Sequence, residues 1–140
     1  MPTYFLDTNI VSYLVEGNVS LRNRLAATEG RVVISTLILE EIFVMGYGAE
    51  INNIRSGRSK ASEERTCEQF AVAFAYLSPF QIEPYTADAD ALFKTYRKAK
   101  HRSMDGRIGA HAVTLGAVVV TANVGDFVGI LDLVVEDWTQ

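Results

Sequence analysis

The sequence predicts an α/β domain with a largely parallel central sheet flanked by helices. Apolar strand-like runs alternate with helical ones along the chain, and β-branched residues dominate the strand-like runs, as in "RVVIST" and "VVVTAN". No internal repeat, low-complexity tract or linker interrupts the 140 residues, so one domain over 1–140 is expected.

The elements follow in order. "TYFLD" is the first strand, "NIVSYLVEGN" a short helix ended by Gly17, and "SLRNRLAATEG" a second helix ended by Gly30. "RVVIST" is the second strand. From Ser35 or Thr36 a helical region runs through "LILEEIFVMGYGAEINNI", breaks at the polar "RSGRSKAS" and resumes as "EERTCEQFAVAFAYL", the two parts packing as a hairpin. "SPFQIEPY" supplies a turn and a short strand. "TADADALFKTYRKAKH" reads as a helix N-capped by Thr86, with Ala89, Phe93 and Tyr96 at helical spacing. "SMDGRIGAHAVTLGA" reads as another, capped by Ser103, with Met104, Ile108, Ala112 and Leu115 on one stripe. "VVVTAN" and "LDLVVED" complete the sheet.

On this map the acids are unevenly placed. Asp7 ends the first strand, Glu40 and Glu41 lie in the first turns after the second, Asp105 opens a late helix, and Asp126 follows "VVVT" by a few residues. In a parallel sheet all of these fall on the rim where strands end and helices begin, which is where open α/β sheets bind ligands. Each has a plainer reading. Asp105, Glu40 and Glu41 suit helix N-termini, Asp126 suits a turn, and Asp7 could cap "TNIVSYL". Together they form a group that would repel itself unless cations neutralised it, and oxygen-only ligation suits magnesium or manganese rather than zinc.

Composition bounds the partners. The net charge of −4 argues against gripping nucleic acid by bulk electrostatics, but four basic residues cluster at Arg55, Arg58, Lys60 and Arg65. Six more cluster at Lys94, Arg97, Lys98, Lys100, Arg102 and Arg107, making ten of the thirteen. These are solvated helix faces or guides for phosphates. No apolar run has the length to span a bilayer, so no membrane role is expected. The single cysteine, Cys67, forms no internal disulfide and fits a reducing cytosol. His101 lies in a basic segment and His111 mid-helix, places that suit partial burial or exposure rather than catalysis.

These motifs resemble the PIN-domain ribonucleases and, among them, the VapC-type toxins of toxin-antitoxin systems. "FLDTNI" resembles the family's opening strand with its Asp-Thr-Asn, and "VVISTLILEEI" its second strand and glutamate helix. "MDGRIGAHAVTLGAVVVTANVGDF" resembles its late aspartate helix followed by Thr-x-Asn-x-x-Asp-Phe. The resemblance implies that Asp7, Glu41, Asp105 and Asp126 hold magnesium or manganese as the catalytic acids, with Thr121 and Asn123 as hydroxyl and amide supports. The six-residue interval from Ser35 selects Glu41 over Glu40. It further implies an RNA substrate, an antitoxin peptide lying over the groove, and a homodimer formed through helices. The alternative is a catalytically silent module of the same fold that binds RNA or antitoxin.

Three features depart from the family pattern. The glycine after the glutamate motif comes one residue late, at Gly46, which leaves Glu40 against Glu41 open. Gly106 and Gly109 stand where alanine is commoner, implying close packing against a neighbouring helix, and Ala122 stands where a basic residue is frequent. Other phosphate chemistries fit less well. A haloacid-dehalogenase-like enzyme needs an aspartate two residues after Asp7, where this chain has Asn9.

Overall fold

The computed structural model describes residues 1–140. Five strands form one sheet in the order β3-β2-β1-β4-β5, all neighbours parallel. They are β1 (Thr3–Leu6), β2 (Arg31–Ser35), β3 (Gln81–Glu83), β4 (Val118–Val120) and β5 (Val134–Glu136). The central three are the β-branched and aromatic runs of the sequence, and Phe5, Leu6, Val33, Ile34, Val119 and Val120 are fully buried. Strands covered on both faces need such continuous apolar stretches.

The chain moves outward from β1 through β2 to β3, then returns to lay β4 on the other side of β1. That reversal makes the gap between the ends of β1 and β4 the topological switch point. α1 (Thr8–Val15) and α2 (Val19–Ala27) join β1 to β2. From β2 the chain enters α3 (Thr36–Leu39), a π-wound segment Glu40–Gly48 and α4 (Ala49–Arg55), and returns through α5 (Glu63–Leu77). The expected hairpin is present, since α5 packs on both α4 and the π-wound segment. α6 (Ala87–Phe93) and α7 (Met104–Leu115) pack on each other in the crossover to β4.

Two helix ends differ from the sequence reading. α6 stops at Phe93 instead of carrying Tyr96, because the Thr95 hydroxyl donates to the Leu92 carbonyl at 2.7 Å and draws the chain into a tight turn. A 3-10 turn, Ala99–His101, then leads to α7. Ser103 stands at the N-cap of α7 without capping it, since its hydroxyl donates to the Lys100 carbonyl at 2.7 Å. Thr86 does cap α6, accepting from the Ala89 N–H at 3.1 Å.

The unusual glycines have a packing cause. A Cβ at Gly106 would collide with the His101 carbonyl, and one at Gly109 would lie 2.7 Å from Ile130 Cδ1. The close neighbours are thus a 3-10 turn and a loop side chain rather than another long helix.

Candidate active site

Asp7 sits at the switch point. Its N–H donates to Val120 O at 2.9 Å, continuing the β1-β4 ladder past the strand end, and its side chain is 5% exposed. The carboxylate N-caps α1, with Oδ1 accepting from the Thr8 N–H at 2.8 Å. Oδ2 accepts from the Thr121 hydroxyl at 2.8 Å and the Asn9 amide at 3.3 Å. A buried charge without such donors costs several kcal/mol. Burial nevertheless prevails over the donors and raises the Asp7 pKa, with Asp126 adding to the rise.

Thr121, at the end of β4, is fully buried and completes this network, its hydroxyl also accepting from Asn9 Nδ2 at 3.2 Å and the Asn123 N–H at 3.0 Å. Asn9 is the amide that ties the two strand ends, because its Oδ1 also accepts from the Ala122 N–H at 3.0 Å. Asn123 contributes its main-chain N–H, while its side chain is exposed. Thr8 is the other residue that sequence reasoning left without a role. Its hydroxyl donates to Glu41 Oε1 at 2.7 Å, fixing that side chain from across the rim. A short polar pair directly after a strand-terminal acid was the available signal for both.

Glu40 and Glu41 open the π-wound segment, Glu40 exposed and Glu41 half-buried. Burial raises the Glu41 pKa, with Asp7 and Glu40 contributing. Asp105, in the first turn of α7, is pushed up to about 6 by burial and then by Asp126, Asp7 and Glu41. No donor offsets that rise. Asp126, exposed in the 3-10 turn Val124–Phe127, completes the four. Acids from four separate segments therefore feel one another at one end of the sheet. No three His, Cys, Asp or Glu side chains are gathered tightly enough to hold an ion in this arrangement. The donor set is nonetheless all oxygen, negative and mutually repelling, which fits a hard divalent cation.

The histidines take no part. His101 is buried with Nε2 2.9 Å from Val128 O. His111 is fully buried, Nδ1 2.9 Å from the Ser35 hydroxyl that also caps α3, and its pKa is lowered by burial. That bond links the helix of Asp105 to the element leading to Glu41.

Concavity alone would misplace the site. The largest cleft, about 710 Å³ and walled by Val15, Tyr47, Arg65 and Val72, touches none of the four acids. The next, about 470 Å³, has Thr8 and Glu41 on its wall.

Residues 4–127 match the family model described as PIN domain. A tRNA(fMet)-specific endonuclease VapC of Shigella flexneri is 28% identical over 146 residues, covering 99% of this chain and 100% of that protein. Ribonuclease VapC2 of Haemophilus influenzae is 28% identical over 145 residues, covering 99% of each. The crystal structure of DNA-bound VapBC from Salmonella typhimurium aligns with a TM-score of 0.73 and 26% identity over 99% of both chains. VapBC2 from Rickettsia felis, bound to a promoter DNA fragment, aligns with a TM-score of 0.71 and 24% identity over 97% of this chain and 98% of that one.

Proposed function

Because the chain belongs to the PIN-domain family, we propose that it is a magnesium- or manganese-dependent endoribonuclease, the toxin of a toxin-antitoxin pair. The single observation that carries this reading is the placement of Asp7, Glu41, Asp105 and Asp126, from four separate segments, on the strand-end rim of the sheet, with Thr8 bonded to both Asp7 and Glu41. Relatives named as ribonucleases over nearly their whole length support it. A silent binding module would have no need to keep such mutually repelling acids together.

In this reading Asp7, Glu41, Asp105 and Asp126 hold the cation. The ion, when bound, supplies Lewis acidity toward the phosphate and toward attacking water. Thr121 and Asn9 hold Asp7 in one rotamer, and Thr8 does the same for Glu41. No imidazole is needed as acid or base, since both histidines are buried. The chain acts as one domain in the cytosol, where Cys67 stays reduced. No helix is long and apolar enough to cross a membrane. Exposed Phe74, on a cavity of about 260 Å³ also lined by Leu39, Phe43 and Ile82, forms the face for the antitoxin peptide or a second copy. Cleavage of labelled RNA with magnesium, with manganese and with a chelator tests the reading, and cutting that persists in chelator overturns it.

The acids make stability depend on pH and metal together. Without a cation, the raised folded-state pKa of Asp105 means the native chain binds its proton more tightly than the unfolded chain does. Its contribution is present at about pH 4 and lost as pH rises through about 6. His111 acts oppositely, since its lowered pKa removes stability as pH falls below the ordinary imidazole value. Comparing the parent with Asp105→Asn cancels the histidine. The variant's melting temperature is expected to match the parent's near pH 4 and exceed it by pH 7. Manganese is expected to raise the parent's melting temperature more than the variant's. A difference that does not change with pH would separate Asp105 from the other acids.

The basic segment lies beside this pocket. Lys100 Nζ reaches Gly125 O at 3.4 Å, next to Asp126, and Lys98 Nζ lies against Gly129. Lys98→Ala/Lys100→Ala is expected to weaken RNA binding and flatten its salt dependence by roughly 0.7 per lost phosphate contact. Titration in calcium, where nothing is cut, measures this, and unchanged slopes would make these lysines a solvated turn.

A further inference from the structure

Winding in which each N–H reaches the carbonyl five residues back is rare in proteins and is frequent at functional sites. Here it runs for nine residues, Glu40–Gly48, and is closed by the Ala49 N–H, which donates to Val44 O and Gly46 O. Its two glycines lie close against the backbone of the preceding turn. A Cβ at Gly48 would lie 2.8 Å from Phe43 O and one at Gly46 3.1 Å from Glu41 O, in each case the carbonyl five residues back. The helix on either side is ordinary α.

The two ends of the segment are held by different parts of the molecule. Upstream, Ser35 caps α3 and Thr8 holds Glu41. Downstream, Tyr47 packs on Phe70 of α5 with ring centroids 5.7 Å apart; Phe43, two residues from Glu41, meets the same ring at 4.9 Å. Wide winding takes about one residue more per turn than α winding, in which neighbours stand about 100° apart. The stretch from Glu41 to Tyr47 thus carries about one residue more than an α-helix would place between the same two anchors. This gives a structural meaning to the late glycine at position 46.

We propose that the π-wound segment is a phase adaptor that turns Glu41 toward the acid pocket while keeping Tyr47 on α5, with Gly46 and Gly48 as the positioning residues. The proposal deepens the metal reading and rests on it for function, but its geometry can be tested without metal. If α winding is forced on the same length of chain, one anchor turns by about 100°. Because burial and stacking of the ring outweigh one hydrogen bond, Tyr47 keeps Phe70 and Ile42 replaces Glu41 beside Thr8.

The test uses the parent, Gly48→Ala, a deletion of exposed Met45, and the two changes combined. In metal-free protein, a thermal double-mutant cycle of Thr8→Val and Glu41→Ala reads the Thr8–Glu41 contact directly. The coupling is expected in the parent, absent in Gly48→Ala, and restored when Met45 is also deleted, because the shorter chain reaches both anchors by α winding. Manganese alone, titrated calorimetrically, is expected to bind Gly48→Ala tenfold or more weakly, on the scale of lost ligand positioning (about 10–100-fold), and to recover in the combined variant. Rescue by deletion separates phase from ordinary loss of stability. Coupling that survives in Gly48→Ala, or a combined variant that fails to recover it, overturns the proposal. If Gly48→Ala alone does not fold, the combined variant decides: folded and coupled supports the adaptor, unfolded refutes it. If Asp7→Asn binds manganese as the parent does, the metal reading fails instead, whatever the cycle shows.

Discussion

Asp7→Asn is expected to abolish metal-dependent RNA cleavage while the fold survives. The substitution keeps the shape, and asparagine caps a helix about as well as aspartate, so the Thr8 N–H keeps its acceptor. What is lost is the one charged oxygen pair set at the switch point by three separate donors, from Thr8, Asn9 and Thr121. Losing even a single neutral donor to a developing charge slows an enzyme by about 10²–10³, so a reduction on the order of a thousandfold or more is expected here. Because burial already disfavours the Asp7 charge, the metal-free variant should melt at or above the parent's temperature. Cleavage assays and melting by circular dichroism measure the two halves. Glu40→Gln, at an exposed position, should cleave like the parent, while Glu41→Gln should not. Undiminished cutting by a folded Asp7→Asn protein would sink the assignment.

The second large effect is on stability. Gly106→Ala places a methyl group against the backbone carbonyl of His101, which cannot rotate away as a side-chain tip would. Either α7 or the Ala99–His101 turn must shift, and the buried His101–Val128 contact shifts with it. A loss of about 3 kcal/mol or more is expected, at the upper end for overpacking. In a domain of this size that is a fall of roughly 10 °C in melting temperature. Gly109→Ala should cost less, because the obstacle is the end of the Ile130 side chain, and helical alanine recovers about 1 kcal/mol. Gly125→Ala, with nothing within 4 Å, is the control and should melt like the parent. Equal melting of the Gly106 and Gly125 variants would mean that α7 does not rest on the turn.

The residues that made the fold legible are those whose chemistry is local. Val32–Ile34 and Val118–Val120 announce buried strands, and Asp7 announces a rim because an acid ending an apolar strand needs partners. The direction of the sheet and the meeting of four segments at one end follow from the alternation of elements. Contacts that depend on long-range geometry were not legible. Nothing in "NVGDF" or "DTNI" says that Asn9, rather than Asn123, supplies the bridging side-chain amide. The fate of Ser103 depends on where Lys100 presents its carbonyl, and that of Tyr96 on one hydroxyl of Thr95. The π winding left a single trace, a glycine one residue later than expected, because its cause is a mismatch between Thr8 and Phe70, anchors distant from each other in sequence.

The hydrogen bond between Asp7 and Thr121 spans 114 residues. Chains are synthesised from the N-terminus, so a growing polypeptide carries Asp7, Thr8 and Glu41 long before it carries β4. Until β4 is laid beside β1, Asp7 lacks its Thr121 donor, its ladder partner Val120 and the neighbouring acid Asp126. Pairing that joins such distant segments is also slow to form. A ribosome making this protein therefore carries Asp7 without its late partners for most of the time it spends on the message, and prematurely terminated products lacking β4 never assemble the acid pocket.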